Sequence, residues 1–164
     1  MTEHRDRHAE QLEARQAAQA VLTALLDDTG LTDSHFTPLL EEFTVKYSGN
    51  GLKTMAGLGL VVARVLAQQH GVTDREVIDD ILRHFKARGD TPELVDDLRP
   101  ILEEVLRMPP DLTALDAAVE NAGQRWHQYA IAEAAGFVTM AVTKVAENDG
   151  VRPLEVLQEV CATP

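Results

Sequence analysis

Apolar residues recur at helical spacing along almost the whole chain, and no stretch alternates with a period of two long enough to predict a strand. From Glu3 to Asp28, Ala14, Ala17, Ala18, Val21 and Leu25 fall on one face, which predicts a long amphipathic helix ended by Gly30. Thr37-Pro38 predicts the start of a second helix reaching about Tyr47, because a proline at the first helical position lacks an N–H that would have no partner there anyway. Ser48-Gly49-Asn50-Gly51 reads as a turn. Leu52 to His70 predicts a third helix. From Met55 to Ala67 only Arg64 is charged, and a helix apolar nearly all round belongs at the centre of a fold. Gly71 stops it, Thr73-Asp74-Arg75-Glu76 is a capping box, and the fourth helix buries Val77, Ile78, Ile81, Leu82 and Phe85.

Arg88-Gly89-Asp90 marks a boundary, and the pattern then begins again. Thr91-Pro92 opens a fifth helix whose Leu94, Leu98, Ile101, Leu102, Val105 and Leu106 form one stripe, ended by Met108-Pro109-Pro110. Thr113-Ala114-Leu115-Asp116 caps a sixth helix reaching about Tyr129. Ala130 to Glu147 predicts an apolar seventh, stopped by Asn148-Asp149-Gly150, and Pro153 starts a short eighth ending near Cys161.

The two stretches resemble each other. Shifted by 79 residues, Glu41, Ala56, Gly57, Ala67, Gly71, Val72, Glu76 and Val77 fall on Glu120, Ala135, Gly136, Ala146, Gly150, Val151, Glu155 and Val156. Lys46-Tyr47 falls on Arg125-Trp126, so basic-then-aromatic is kept. The matches sit where packing needs them. Gly57 and Gly136 are placed for close helix approach, Gly71 and Gly150 for left-handed caps, and Glu76 and Glu155 to reach back to a free N–H. The expected fold is all-α: about eight helices in a single domain, residues 1–164. It divides into two similar four-helix halves, about 1–88 and 89–164, related by internal duplication.

Charge narrows the partners. The chain carries 27 acidic against 15 basic side chains, a net charge of −12, which argues against nucleic acid and anionic membrane surfaces and is compatible with a basic partner or simply with solubility. Cys161 has no second cysteine to pair with, so a reducing compartment is expected. Met1 to Gln11 is too polar for a signal peptide, and the apolar run Met55 to Ala67 is too short to span a bilayer; a cytoplasmic protein is the expectation. Arg outnumbers Lys and Ala and Val are common, a composition read as a GC-rich bacterial coding sequence.

Candidate chemistry is sparse. Ala67, Gly71 and Val77, and again Ala146, Gly150 and Val156, have helix-turn-helix spacing. The following helices, however, carry Asp74, Glu76, Asp79 and Asp80, or Glu155 and Glu159, where phosphate contact needs cations. His4 and His8 share a helix face but have no further ligand at metal spacing, so no metal is expected. The doublets Asp27-Asp28, Glu41-Glu42, Asp79-Asp80, Asp96-Asp97 and Glu103-Glu104 point about 100° apart on a helix and read as solvated faces. There is no phosphate loop, Ser48 has no His-Asp context, and Cys161 has no nearby base, so no catalytic residue and no cofactor is assigned and the reading leans away from an enzyme.

The densest mix of polar and aromatic groups is Arg125-Trp126-His127-Gln128-Tyr129, with Trp126 and Tyr129 three apart on one expected face. If the halves pack about a twofold axis, Lys46 and Tyr47 become its counterparts across one groove. Lys46, Tyr47, Arg125, Trp126, His127 and Tyr129 are therefore the ligand or interface candidates. The expected function is that of a non-enzymatic helical interaction or regulatory protein, acting on a protein partner or by self-association as a homodimer through the fifth helix. The alternatives are a small-molecule-binding domain with a pocket between the halves and an acidic DNA-mimic inhibitor.

Overall fold

The computed structural model describes residues 2–26, 32–47, 49–88, 92–106, 111–126 and 128–162. Among them the chain is all-α with eight helices and no strand: α1 (Thr2–Leu26), α2 (Thr32–Tyr47), α3 (Gly49–His70), α4 (Asp74–Arg88), α5 (Pro92–Leu106), α6 (Leu112–Trp126), α7 (Gln128–Asp149) and α8 (Pro153–Ala162). The stops expected at Gly30, Gly89-Asp90 and Pro109-Pro110 lie outside the described residues, as do the side chains of His4 and His8.

The helices end where the glycines require it. Gly71 and Gly150 take φ of 67° and 69°, and beyond them Val72 N–H donates to Ala67 O at 3.0 Å and Val151 N–H to Ala146 O at 3.1 Å. These are the same six-to-one closure, and both satisfy a carbonyl that the helix end leaves free. At α4, Thr73 N–H donates to Glu76 Oε2 at 3.1 Å and Glu76 N–H to Thr73 Oγ1 at 3.2 Å, a complete capping box. At α8, Arg152 N–H reaches Glu155 Oε2 at 3.4 Å. The expected helix-turn-helix spacing is thus used for two tight corners.

Several boundaries differ from the expectation, among them the one between α6 and α7, which falls before Tyr129 and not after it. α2 begins at Thr32, so Pro38 lies inside it and the bond its N–H would have made to the Ser34 carbonyl is absent. α3 takes in Gly49, Asn50 and Gly51, which were read as a turn, because a corner this tight has no room for a side chain. A Cβ at Gly51 would come 2.7 Å from Phe43 Cε1. α6 is capped by Asp111, whose Oδ1 accepts from Ala114 N–H at 3.1 Å, two residues before the expected cap at Thr113.

α3 and α7 form the centre. They run parallel in matching register: Gly59 meets Phe137 and Val138, and ten residues on Gln69 meets Asn148 and Asp149. Gln69 Nε2 donates to Asp149 Oδ1 at 2.9 Å. Asn148 Nδ2 donates to Gln69 Oε1 at 3.0 Å and lies 3.2 Å from His70 Nε2. The Gln69–Asp149 and Asn148–His70 contacts exchange when each residue is replaced by its partner 79 positions away. The same exchange governs the whole described fold. Each helix pair in contact has a counterpart when α1–α4 are swapped for α5–α8, as α1·α8 has in α4·α5 and α2·α7 in α3·α6. α3·α7 is its own counterpart.

The fifth-helix stripe is spent inside this arrangement. Leu94, Leu98, Ile101 and Leu102 are buried against α3, α4, α6 and α7, so they are not free to form the dimer seam the sequence suggested. Among the described residues, Tyr129–Asp149 is the stretch long and apolar enough to cross a membrane; 56% of its apolar window is buried inside the fold, as befits a core helix.

The glycine that lets the central helices meet is Gly59. Its absent Cβ would lie 2.9 Å from Phe137 Cδ1, whereas at Gly57 a Cβ would meet nothing within 4 Å and at Gly136 only Phe85 at 3.7 Å. The expectation that Gly57 and Gly136 form the close approach is therefore corrected: they lie on other faces of the same helices. Gly57→Ala, which adds helix propensity in open space, should stabilise by up to about 1 kcal/mol. Gly59→Ala must displace a fully packed ring and should destabilise by about 1 kcal/mol or more despite the same propensity gain. Thermal unfolding of the two variants should move in opposite directions.

Candidate functional site

The two basic-aromatic pairs close the ends of α2 and α6, and each is strapped to the first helix of its own half. Lys46 Nζ donates to Glu13 Oε1 of α1 at 2.6 Å and stands 5.5 Å from the Tyr47 ring centre. Tyr47 packs on Phe43 with ring centres 5.1 Å apart. The hydrogen bond and charge of Lys46 hold the Glu13 carboxyl below its ordinary range, and Glu13 in turn raises Lys46. In the second half, Trp126 Nε1 donates to Asp97 Oδ2 of α5 at 2.7 Å, and Arg125 Nη1 lies 2.9 Å from the same oxygen. The Arg125 guanidinium stands 5.4 Å from the indole centre.

These straps separate the candidates. Tyr47 and Trp126 are both half-buried against the core with polar neighbours on their own side. Tyr129 is on the first turn of α7 and exposed, so it does not share a helix with Trp126 as the spacing suggested. His127 lies outside the described residues. Tyr47 lines a groove in which Trp126 takes no part.

This groove spans the two halves. Open and of about 600 Å³, it lies where the α2–α3 corner faces α6 and the start of α7. Its apolar lining is Leu52, Val119 and Ile131, with Thr44 and Tyr47 on one side and Asp116, Glu120, Gly123 and Gln124 of α6 on the other. Leu52 and Ile131 are counterparts under the 79-residue shift, as are Thr44 and Gly123, so the groove straddles the relation between the halves. Lys53 forms an ion pair with Asp116 across it, and Gln124 Nε2 donates to Glu120 Oε1 at 3.2 Å. α3 presses against α6 here: a Cβ at Gly49 would come 3.3 Å from Val119 Cγ1. The first turn of α3 has no acidic residue, and Asp116 and Glu120 supply negative charge beside its positive end. Sequence reasoning found Tyr47 but missed Lys53, Asp116, Glu120 and Gln124. The three α6 residues were legible as a polar stripe at helical spacing, but nothing in the stripe says which helix it faces.

The remaining titratable groups lie elsewhere. The Asp doublets, expected as solvated faces, reach cations on separate helices: Asp79 pairs with Arg99, Asp80 lies 3.9 Å from Lys144, and Asp96 lies 2.9 Å from Lys86. Burial pushes the Glu133 carboxyl above its ordinary range, yet Glu133 is not among the groove residues. Burial also raises the Cys161 thiol, with Arg15 opposing, which keeps it protonated rather than nucleophilic at neutral pH. Among the described residues no group of three His, Cys, Asp or Glu side chains is placed to hold a metal ion.

Two measurements test these electrostatics. Asp97 is only 15% exposed, against 54% for Glu13. Asp97→Ala leaves the indole N–H and the guanidinium without their acceptor and should cost about 1–3 kcal/mol, with a change in tryptophan emission that reports Trp126 alone. Glu13→Ala should leave the melting temperature almost unchanged, because the strap it breaks is solvated. For Glu133 the folded pKa is the raised one, so the native state binds its proton more tightly than the unfolded state. Stability is then highest below the unfolded value near 4.5 and falls as pH rises through the folded value. Urea unfolding of Glu133→Gln should match the parent at the acid end of this window and exceed it at neutral pH.

Comparison of the chain with protein-family models, with curated proteins and with solved structures found no match.

Proposed function

We propose that this chain is a non-enzymatic helical interaction or regulatory protein that acts through protein–protein contacts. The observation that carries the reading is the seam groove. It is open, with the apolar residues Leu52, Val119 and Ile131 at its base. Outside its lining, Val45 of α2 is 86% exposed and Tyr129 of α7 is 63% exposed. Exposed aromatic and aliphatic groups are what interface anchors use. The exchange of helix contacts between the halves supports reading the chain as an internal duplication, with the groove as a surface that exists only once. A cytoplasmic location fits this reading.

The small-molecule reading draws on the same groove, whose volume falls in the range of ligand pockets, roughly 300–1,000 Å³. The DNA-mimic reading draws less support, because Asp79, Asp80, Asp96 and Asp97 are engaged by cations rather than arrayed alone.

The test is a photocrosslinking residue placed at Val45, with one at Arg83 as control, since α4 touches neither α2 nor α6. The expected outcome is a discrete adduct from position 45 heavier than the 18.0 kDa chain and none from position 83. An adduct of twice the chain mass identifies self-association, and any other mass a different partner. No adduct from either position, together with a melting-temperature rise of several degrees on adding a small ligand, would replace the interaction reading with the pocket one.

A further inference from the structure

We propose that the seam groove docks a basic amphipathic helix of a partner protein, an inference that rests on the interaction reading and names its site and chemistry. Four observations converge on this occupant. The α6 wall runs from Asp116 to Gln124, roughly 12 Å or two helical turns. That length takes two apolar anchors one turn apart, at the i and i+4 spacing of a helix laid in a groove. The base that would receive them is apolar, formed by Leu52, Val119 and Ile131.

The groove's charge selects the other face. Asp116 and Glu120 stand on the α6 wall and the lining holds one cation, Lys53, which is paired with Asp116. The local excess is negative, and the net charge of −12 adds a long-range field that speeds encounter with a cationic partner and rejects an acidic one. The two wall carboxylates are four residues apart on α6 and so point the same way, matching a row of Lys or Arg along one side of a helix.

The backbone argues for a helix rather than a strand. An extended peptide needs main-chain partners, and most of the α6 wall, from Asp116 to Ala122, has its N–H and C=O groups paired within the helix. A helical segment brings its backbone bonds already satisfied and asks only for side-chain contacts. Gly123, near the C-terminal end of the wall, leaves the space open: a Cβ there would meet nothing within 4 Å.

The test uses the full chain and a fluorescein-labelled helical peptide of Leu and Lys, with Leu at i, i+3, i+4 and i+7. A Leu–Glu peptide of the same spacing and a Lys-only peptide serve as controls. Fluorescence anisotropy should show saturable, salt-sensitive binding of the Leu–Lys peptide alone. Gly123→Leu, which plugs the groove while raising helix propensity, should weaken binding at least tenfold with no loss of thermal stability. Asp116→Asn with Glu120→Gln should weaken it about tenfold. Glu93→Gln with Glu147→Gln, the same change of charge away from the groove, should leave it unaltered. Equal weakening by the remote pair, tight binding of the Lys-only peptide, or indifference to Gly123→Leu would each overturn the proposal. If peptide binding fails while crosslinking at Val45 persists, the docking chemistry falls and the interaction reading stands. If both are absent, both fall.

Discussion

The fold depends on two long helices lying side by side in parallel, with a ring of one packed on the backbone of the other. α3 and α7 can approach because Gly59 presents no side chain to Phe137. Parallel packing has an electrostatic consequence that antiparallel packing avoids: both positive ends gather at one end of the bundle and both negative ends at the other. The chain answers at each end. Both negative ends close with a left-handed glycine and a recaptured carbonyl, and Gln69 and Asn148 place amide donors between them. The positive end of α3 meets Asp116 and Glu120 from α6. The groove is therefore a product of the central packing, placed where the two helix starts diverge.

The basic-aromatic pairs serve the same architecture. Each lies at the end of the helix that precedes a central one, where the chain must turn sharply into α3 or α7. Tying that end to the first helix of its half fixes the entry angle of the central helix. The ties are unequal. The Asp97 strap excludes most solvent and holds two donors on one oxygen, whereas the Glu13 strap is open to water and screened. Similar chemistry at related positions thus contributes differently to rigidity, because burial and not residue type sets its strength.

Much of this was legible in the sequence because glycine and capping residues act locally. Gly71, Gly150 and the Thr73–Glu76 box fixed their helix ends with no tertiary information. The apolar character of 55–67 and 130–147 correctly marked the central helices. What could not be read was direction around a helix axis. Gly57 and Gly59 are two residues apart, about 200° around the helix, and only the partner decides which one is the contact. The break between Trp126 and Tyr129 was hidden for a similar reason: uninterrupted helical spacing continues through it, so the two rings looked like one face. The groove was missed because its polar members come from α3 and α6, which are distant in sequence and meet through Val119 and Gly49.

The relation between the halves also supports the groove as the proposed docking site. Any surface away from the axis has a counterpart elsewhere on the molecule, but a surface on the axis occurs once and both halves contribute to it. Its base keeps equivalent apolar residues, Leu52 and Ile131, because they pack where the central helices start. Its rim does not: Thr44 corresponds to Gly123, Lys53 to Ala132 and Gln124 to Val45. A partner that is itself asymmetric, as a single helix is, needs such a rim to fix its direction, since a symmetric groove would accept it equally in two orientations. For the docking proposed above, the equivalent pair at the base would hold the fold and the unmatched rim would set polarity.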